Sequence, residues 1–269
     1  MDFLKVVFEF LIKRGIFLLN KRGEKMKKTL FATMVFVGLN LNANDHLPSN
    51  YSMYQANFLF NCPVPEKCFA AFDKYMNTPT VKKEKFEVDF YAIQQNGWDE
   101  STHGVSWYYK DADQYAKAGE IYSTSKAGRE FRKTMNDLGV EIISDTLTIH
   151  SVGVTLKGET VDNGVSLRWS LEVQDPVKFV PLWKDFSKSL EKYDWSSNAY
   201  GLQTHYLGNN GTGITHEVWA AFNTPQDALA FLSGMNNSKE FAAYSPEARK
   251  YSTFKRSYME VSLKMYNPD

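Results

Sequence analysis

Two histidines of this chain stand in matching surroundings. His103 in THGVSWYY and His216 in THEVWAAF each follow a threonine and lead an apolar run. A histidine pair could exchange protons near neutral pH or hold a metal ion, because imidazole titrates in that range and ligates metals through a neutral ring nitrogen. A second combination is His205 with Glu217, where a carboxylate would orient an imidazole acting as general base. Arg168 and Arg256 have the planar fork that grips anions, and Arg256 could pair with Glu217 or Glu260, a pair costly to bury unless mutually satisfied or used by a ligand. Trp219 and Tyr258 would supply apolar walls. Other chemistry finds no motif: the sequence has no Gly-rich phosphate loop, no Gly-x-Ser-x-Gly elbow, no His-Glu-x-x-His helix and no paired Cys-x-x-Cys. Two cysteines without clustered histidines are a weak metal signal, and no metal is predicted.

The elements that must position these residues are written twice. Shifting the chain by 113 residues places His103 on His216, Val105 on Val218, Tyr109 on Phe222, Ser125-Lys126 on Ser238-Lys239 and Phe131 on Tyr244. Each copy reads as strand, helix, strand, strand, helical region, strand. In the second copy VSLRWSLEV alternates as a half-buried strand, DPVKFVPLWKDFSKSLEKY follows as a helix with Pro at its start, and NNGT joins two strands as a hairpin turn. The expected organisation is a module over 50–155, a polar linker over 156–164 and a second module over 165–267.

A β-α-β-β-α-β unit is the ferredoxin-like split βαβ, with helices on one face of an antiparallel sheet. Two in tandem resemble the dimeric α+β barrel superfamily, which includes small monooxygenases of the antibiotic-biosynthesis type and the EthD-like and NIPSNAP-like groups. The resemblance implies an α+β fold in which two sheets of one polypeptide pair around a shared cavity. It is topological and transfers no catalytic residue.

Strand parity then sorts the side chains. Val218, Ala220 and Phe222 should pack under helices with His216, as should Trp169, Leu171, Val173, Met259, Val261, Leu263 and Met265. The opposite face holds Arg168, Gln203, His205, Glu217, Trp219, Arg256, Tyr258 and Glu260. In the first copy it holds Gln55, Asn57, Asp89, Tyr91, Ser106, Tyr108, Ser144, Thr146, Thr148 and His150. Such a face can be wet, knitted into an internal salt-bridge network, or a ligand site. If it is a site, His205 and Glu217 are the catalytic candidates, and Arg168, Trp219, Arg256, Tyr258 and Glu260 the ligand-binding ones.

The first residues bear on location. MKKTLFATMVFVGLNLNAND from Met26 has the basic start, apolar run and small residue of a secretory signal peptide, read over 26–43. Residues 1–25 read as an upstream extension before the true initiator, or as an amphipathic membrane-surface helix. Loss of eight Lys/Arg and three Asp/Glu with residues 1–43 takes the net charge from zero to −5, which argues against nucleic acid as a partner. The apolar run is too short for a comfortable membrane span. Cys62 and Cys68, in NCPVPEKCF, are either a disulfide between a strand end and a first helical turn or two separate thiols. The expectation is a periplasmic or secreted small-molecule-binding barrel. It would act as a cofactor-independent oxygenase or isomerase on a small aromatic or anionic compound, or as a non-catalytic binding or interaction protein. No cofactor is predicted, with haem bound through a histidine as the variant that the resemblance leaves open; oligomeric state is left open.

Overall fold

The computed structural model describes residues 53–156, 164–208 and 211–268. The upstream extension, the signal peptide and most of the linker lie outside the described residues.

The first module runs β1 (Tyr54–Asn61), α1 (Pro65–Met76), α2 (Pro79–Lys82), β2 (Glu87–Gln94), β3 (His103–Tyr109), α3 (Ala112–Thr124), α4 (Lys126–Asp137) and β4 (Glu141–Thr155). The second runs β5 (Val165–Val173), α5 (Pro176–Leu190), β6 (Ala199–Leu207), β7 (His216–Phe222), α6 (Pro225–Asn236), α7 (Lys239–Ala248) and β8 (Ser252–Tyr266). Local signals set the helix starts. Pro65, Pro176 and Pro225 occupy first-turn positions, where their missing N–H would be unpaired anyway. Asp111, Ser125, Asp175, Thr224 and Ser238 cap the helices that follow them. The repeated Ser-Lys pairs are therefore equivalent caps: Ser125 Oγ accepts from Gly128 N, and Ser238 Oγ from Phe241 N. Helix α1 has no side-chain cap, and a disulfide from Cys62 to Cys68 fastens its first turn to the end of β1, with the Cα atoms 6.5 Å apart.

All strand pairs are antiparallel, and the eight strands close into one barrel in the order β1-β3-β2-β8-β5-β7-β6-β4. The two sheets meet edge to edge. Their long last strands make both seams: β8 pairs with β2, and β4 with β6. Helices cover the outside. One core lies under α1 to α4, built on Phe72, Phe86, Phe90 and Val105. The other lies under α5 to α7, built on Phe179, Trp183, Leu202 and Phe222. Equivalent stacked rings join the helices of each module, Tyr75 on Phe131 with centroids 4.7 Å apart and Phe186 on Tyr244 at 4.1 Å.

The parity reading fails at one place. Met259 and Val261 pack under the second module's helices, but the β2–β8 register shifts between Phe90 and Tyr91. Beyond that bulge the faces exchange, as one extra residue requires. Tyr266 enters the first module's core, Lys264 reaches Asp73 of α1 at 2.5 Å, Leu263 is exposed and Met265 lies opposite Asp89.

Two glycines let large rings lie flat on the inner wall. The ring of Tyr91 occupies the space a Cβ on Gly104 would need, and a Cβ on Gly201 would come within 2.5 Å of the Trp219 ring. Gly201→Ala should therefore overpack the lumen and destabilise the protein by roughly 1–3 kcal/mol, measured by urea denaturation; unchanged stability would show that Trp219 moves aside freely.

Candidate functional site

The threonines of the two Thr-His pairs fasten strands. Thr102 Oγ1 accepts from Cys62 N at 2.9 Å, just past β1, and Thr215 Oγ1 accepts from Val173 N at 2.8 Å, at the end of β5. In both, the hydroxyl also meets Nδ1 of the following histidine at 2.9 Å. His103 lies among Phe60 and Phe90 on the helix side, and burial lowers its pKa; burial takes His216 down to about 4. They form no pair.

The centre of the barrel is filled by its own polar side chains. Arg168 of β5 donates from Nε to Glu260 Oε2 of β8 at 2.7 Å and from Nη1 to Glu217 Oε1 of β7 at 3.3 Å, and all three side chains are 6% exposed. Glu217 Oε2 accepts from Ser170 Oγ and Tyr258 OH, each at 3.2 Å. A second network spans the β1–β4–β6 wall. There His150 Nε2 meets Gln55 Oε1 at 2.9 Å and Gln203 Nε2 at 3.1 Å, while Gln203 also donates to Gln55 Oε1. Gln55 donates onward to Ser106 Oγ at 2.9 Å. Burial takes His150 down to about 3, helped by the charge of Arg168. One guanidinium thus serves two carboxylates in a desolvated site. Burial pushes Glu260 up to about 7, and repulsion from Glu217 adds to the rise, while the Arg168 charge opposes it. Toward the other end Asp89, accepting from Ser262 Oγ at 2.6 Å, is raised by burial to about 6.

Two of the cavities lined by described residues lie beside this filled centre. The first, about 430 Å³, opens at the end of the barrel carrying the β2–β3 and β6–β7 connections, with Asn57, Ser144, Thr146, His205, Glu217, Arg256 and Tyr258 in its wall. The second, about 370 Å³, lies between the outer face of β5 and β7 and helices α5 to α7. Trp169, Trp183, Phe186, Phe231, Phe241 and Tyr244 wall it, and of the described residues lining it Glu191 and Arg249 alone carry charge. Tyr200 OH donates to Glu191 Oε1 at 2.7 Å at its edge.

The structure brings His205, Glu217, Arg256 and Tyr258 together at the mouth and sets Arg168 and Glu260 deeper. Trp219 faces the lumen against Gly201 and His150. The expected His205–Glu217 dyad is not formed. In register Glu217 faces Gln203 rather than His205, its oxygens accept from Arg168, Ser170 and Tyr258, and His205 Nδ1 has no hydrogen-bond partner. Nor does Arg256 pair with either glutamate: its Nη1 donates to Asp99 Oδ2 at 2.5 Å. Sequence reasoning missed Asp99, whose loop position has no strand parity. It also missed the helix-side cavity, whose walls read as ordinary core positions.

The haem variant left open by the sequence needs a histidine ligand: among the described residues none lines the apolar cavity, and His205 lines the other. Among the described residues no group of three His, Cys, Asp or Glu is placed to hold a metal, and no helix is long and apolar enough to cross a membrane.

No protein-family model and no curated protein matches the sequence. Solved structures do match. A proposed monooxygenase from Fusobacterium nucleatum shares 14% identity over 81% of this chain and 95% of its own, with a TM-score of 0.56. Another from Lactobacillus acidophilus shares 11% over 80% and 96%, with a TM-score of 0.53. An anthrone oxidase-like protein shares 10% over 83% and 97%, with a TM-score of 0.56. The likeness is one of fold, and that fold is the dimeric α+β barrel contained in a single chain.

The charge cluster generates two expectations. Arg168→Met strands two buried carboxylates and should lower the unfolding free energy by about 3–5 kcal/mol at pH 7.5, read by urea denaturation. Glu260 has a folded value near 7, above its ordinary 4.5, so folding favours its protonated form. Its contribution is full below about pH 4.5 and is lost as pH rises through about 7. Relative to wild type, Glu260→Gln should therefore gain stability from pH 5 to pH 8; parallel stability curves would refute the assignment.

Proposed function

We propose that this chain is a small-molecule-binding barrel protein whose helix-side cavity in the second module takes a planar aromatic compound. The observation that carries this is the cavity itself: about 370 Å³ walled by aromatic side chains from β5 and α5 to α7. Such a space favours a flat apolar ligand, because ring stacking and edge contacts add to the burial of its surface. The polar groups at its edge, Glu191 with Tyr200 and Arg249, would orient a ligand that carries one oxygen substituent.

The chemistry proposed is dioxygen-dependent oxidation of an activated ring methylene without a resident cofactor. Glu191 Oε1 is held by Tyr200, leaving Oε2 to accept the proton, and Arg249 would stabilise the enolate-like anion. The methylene loses two hydrogens and gains one oxygen atom from dioxygen as a carbonyl; the second oxygen atom leaves as water. The names of the fold neighbours, two proposed monooxygenases and an anthrone oxidase-like protein, support this class. A second reading, binding without turnover, is favoured by the Tyr200–Glu191 bond, which keeps that carboxylate partly engaged. An extracytoplasmic location is part of the proposal, supported by the Cys62–Cys68 disulfide, since such bonds persist in oxidising compartments.

Anthrone tests it. Titration should quench tryptophan fluorescence to a saturable one-to-one end point, and Leu232→Trp, which narrows the cavity, should weaken binding at least ten-fold. An oxygen electrode should record one dioxygen consumed per anthrone. Binding without oxygen uptake would select the second reading, and equal affinity in the narrowed variant would remove the cavity assignment.

A further inference from the structure

The mouth of the barrel shares no lining residue with the helix-side cavity, and its chemistry is of another kind. Arg256 lies over the Tyr258 ring, its guanidinium carbon 4.9 Å from the centroid, and Asp99 accepts from its Nη1. These contacts hold the guanidinium still while using one corner of it. The Nε–H is buried in the wall of the cavity and donates to nothing. The Nε/Nη2 edge is the one that grips a carboxylate through two parallel hydrogen bonds. His205 Nδ1, lining the same cavity, is likewise buried without a partner. Burial lowers the pKa of this ring, with the Glu217 charge pulling it back up. In its neutral form the ring can carry its one N–H on Nδ1 and donate it.

The acidic groups at the mouth do not forbid an anion. Asp99 is paired with Arg256, and Glu217 with Arg168. Lys255, also in the wall, adds positive charge and is itself paired with Glu172 at 2.6 Å. Across the cavity, on the first module's strands, stand Asn57, Ser144 and Thr146, an amide whose oxygen accepts from Ser106 Oγ and two hydroxyls, with Leu59 of that module and Ile214 of the second also in the wall. Such a wall binds hydroxyl groups by direction and carbon by contact.

We propose that the mouth is a binding site for a small hydroxylated carboxylate, gripped side-on by Arg256 with His205 as a second donor and its hydroxyls turned to Asn57, Ser144 and Thr146. The site spans both modules, with Arg256 and His205 on the second and Asn57, Ser144 and Thr146 on the first, so it exists only in the closed barrel. It accounts for the two buried nitrogens of this wall, Arg256 Nε and His205 Nδ1, that the protein leaves without a hydrogen-bond partner.

Calorimetry on the full chain tests it with D-gluconate and citrate as probes, and D-sorbitol and inorganic phosphate as controls. At least one of the carboxylates should bind saturably, one per chain, and sorbitol, which has gluconate's hydroxyls without its carboxylate, should bind at least ten-fold more weakly than gluconate. Arg256→Lys keeps the charge and loses the fork, and should weaken the bound carboxylate at least ten-fold. His205→Gln should weaken it about three- to ten-fold with an unchanged thermal midpoint, which separates a lost donor from a lost fold. The proposal is overturned if neither carboxylate binds at millimolar concentration, if Arg256→Lys binds as tightly as wild type, or if phosphate binds more tightly than both carboxylates.

Discussion

Closing two four-stranded sheets into one barrel turns eight strand faces inward, where few of their polar groups can reach water. A charge on those faces then demands a partner among the other inward side chains, because an unpaired buried charge is costly. Arg168 answers most of that demand. It lies on β5, the strand between β7 and β8, and so reaches Glu217 on one neighbour and Glu260 on the other. Burial raises Glu260, and the neighbouring Glu217 charge adds to the rise while Arg168, shared between the two acids, opposes it.

The first module meets the same demand differently. Apart from Asp89, its inward polar residues are amides, hydroxyls and one histidine, and they link Gln55, Ser106 and His150 to Gln203 of the second module. Duplication supplied two copies of one frame, and divergence gave them separate work. One copy carries the disulfide and a core crossed by rings around Phe72. The other keeps an aromatic-walled space beneath equivalent helices. The Thr-His pairs, which look catalytic in the sequence, are the part of the frame that did not diverge. Each ties the end of one strand to the start of another.

Periodicity and the 113-residue echo were enough to reveal the architecture, since strand alternation, caps and turns are local properties repeated in register. They also named the inward set: Arg168, Gln203, His205, Glu217, Tyr258 and Glu260 do share the lumen. Partners were another matter. Which acid Arg256 meets depends on the loop carrying Asp99, and whether His205 faces Glu217 depends on a register that parity does not specify. The sign of Leu263 and Met265 turned on a single bulge.

The sequence by itself therefore determined a duplicated split βαβ frame and the side of each strand that would be polar, because both follow from neighbours along the chain. Only the tertiary structure decided that the lumen's centre is filled and that space survives at its mouth and under the second module's helices. Volume and pairing depend on side chains brought together from segments more than a hundred residues apart, such as Asp99 and Arg256, and no local pattern records how closely they pack.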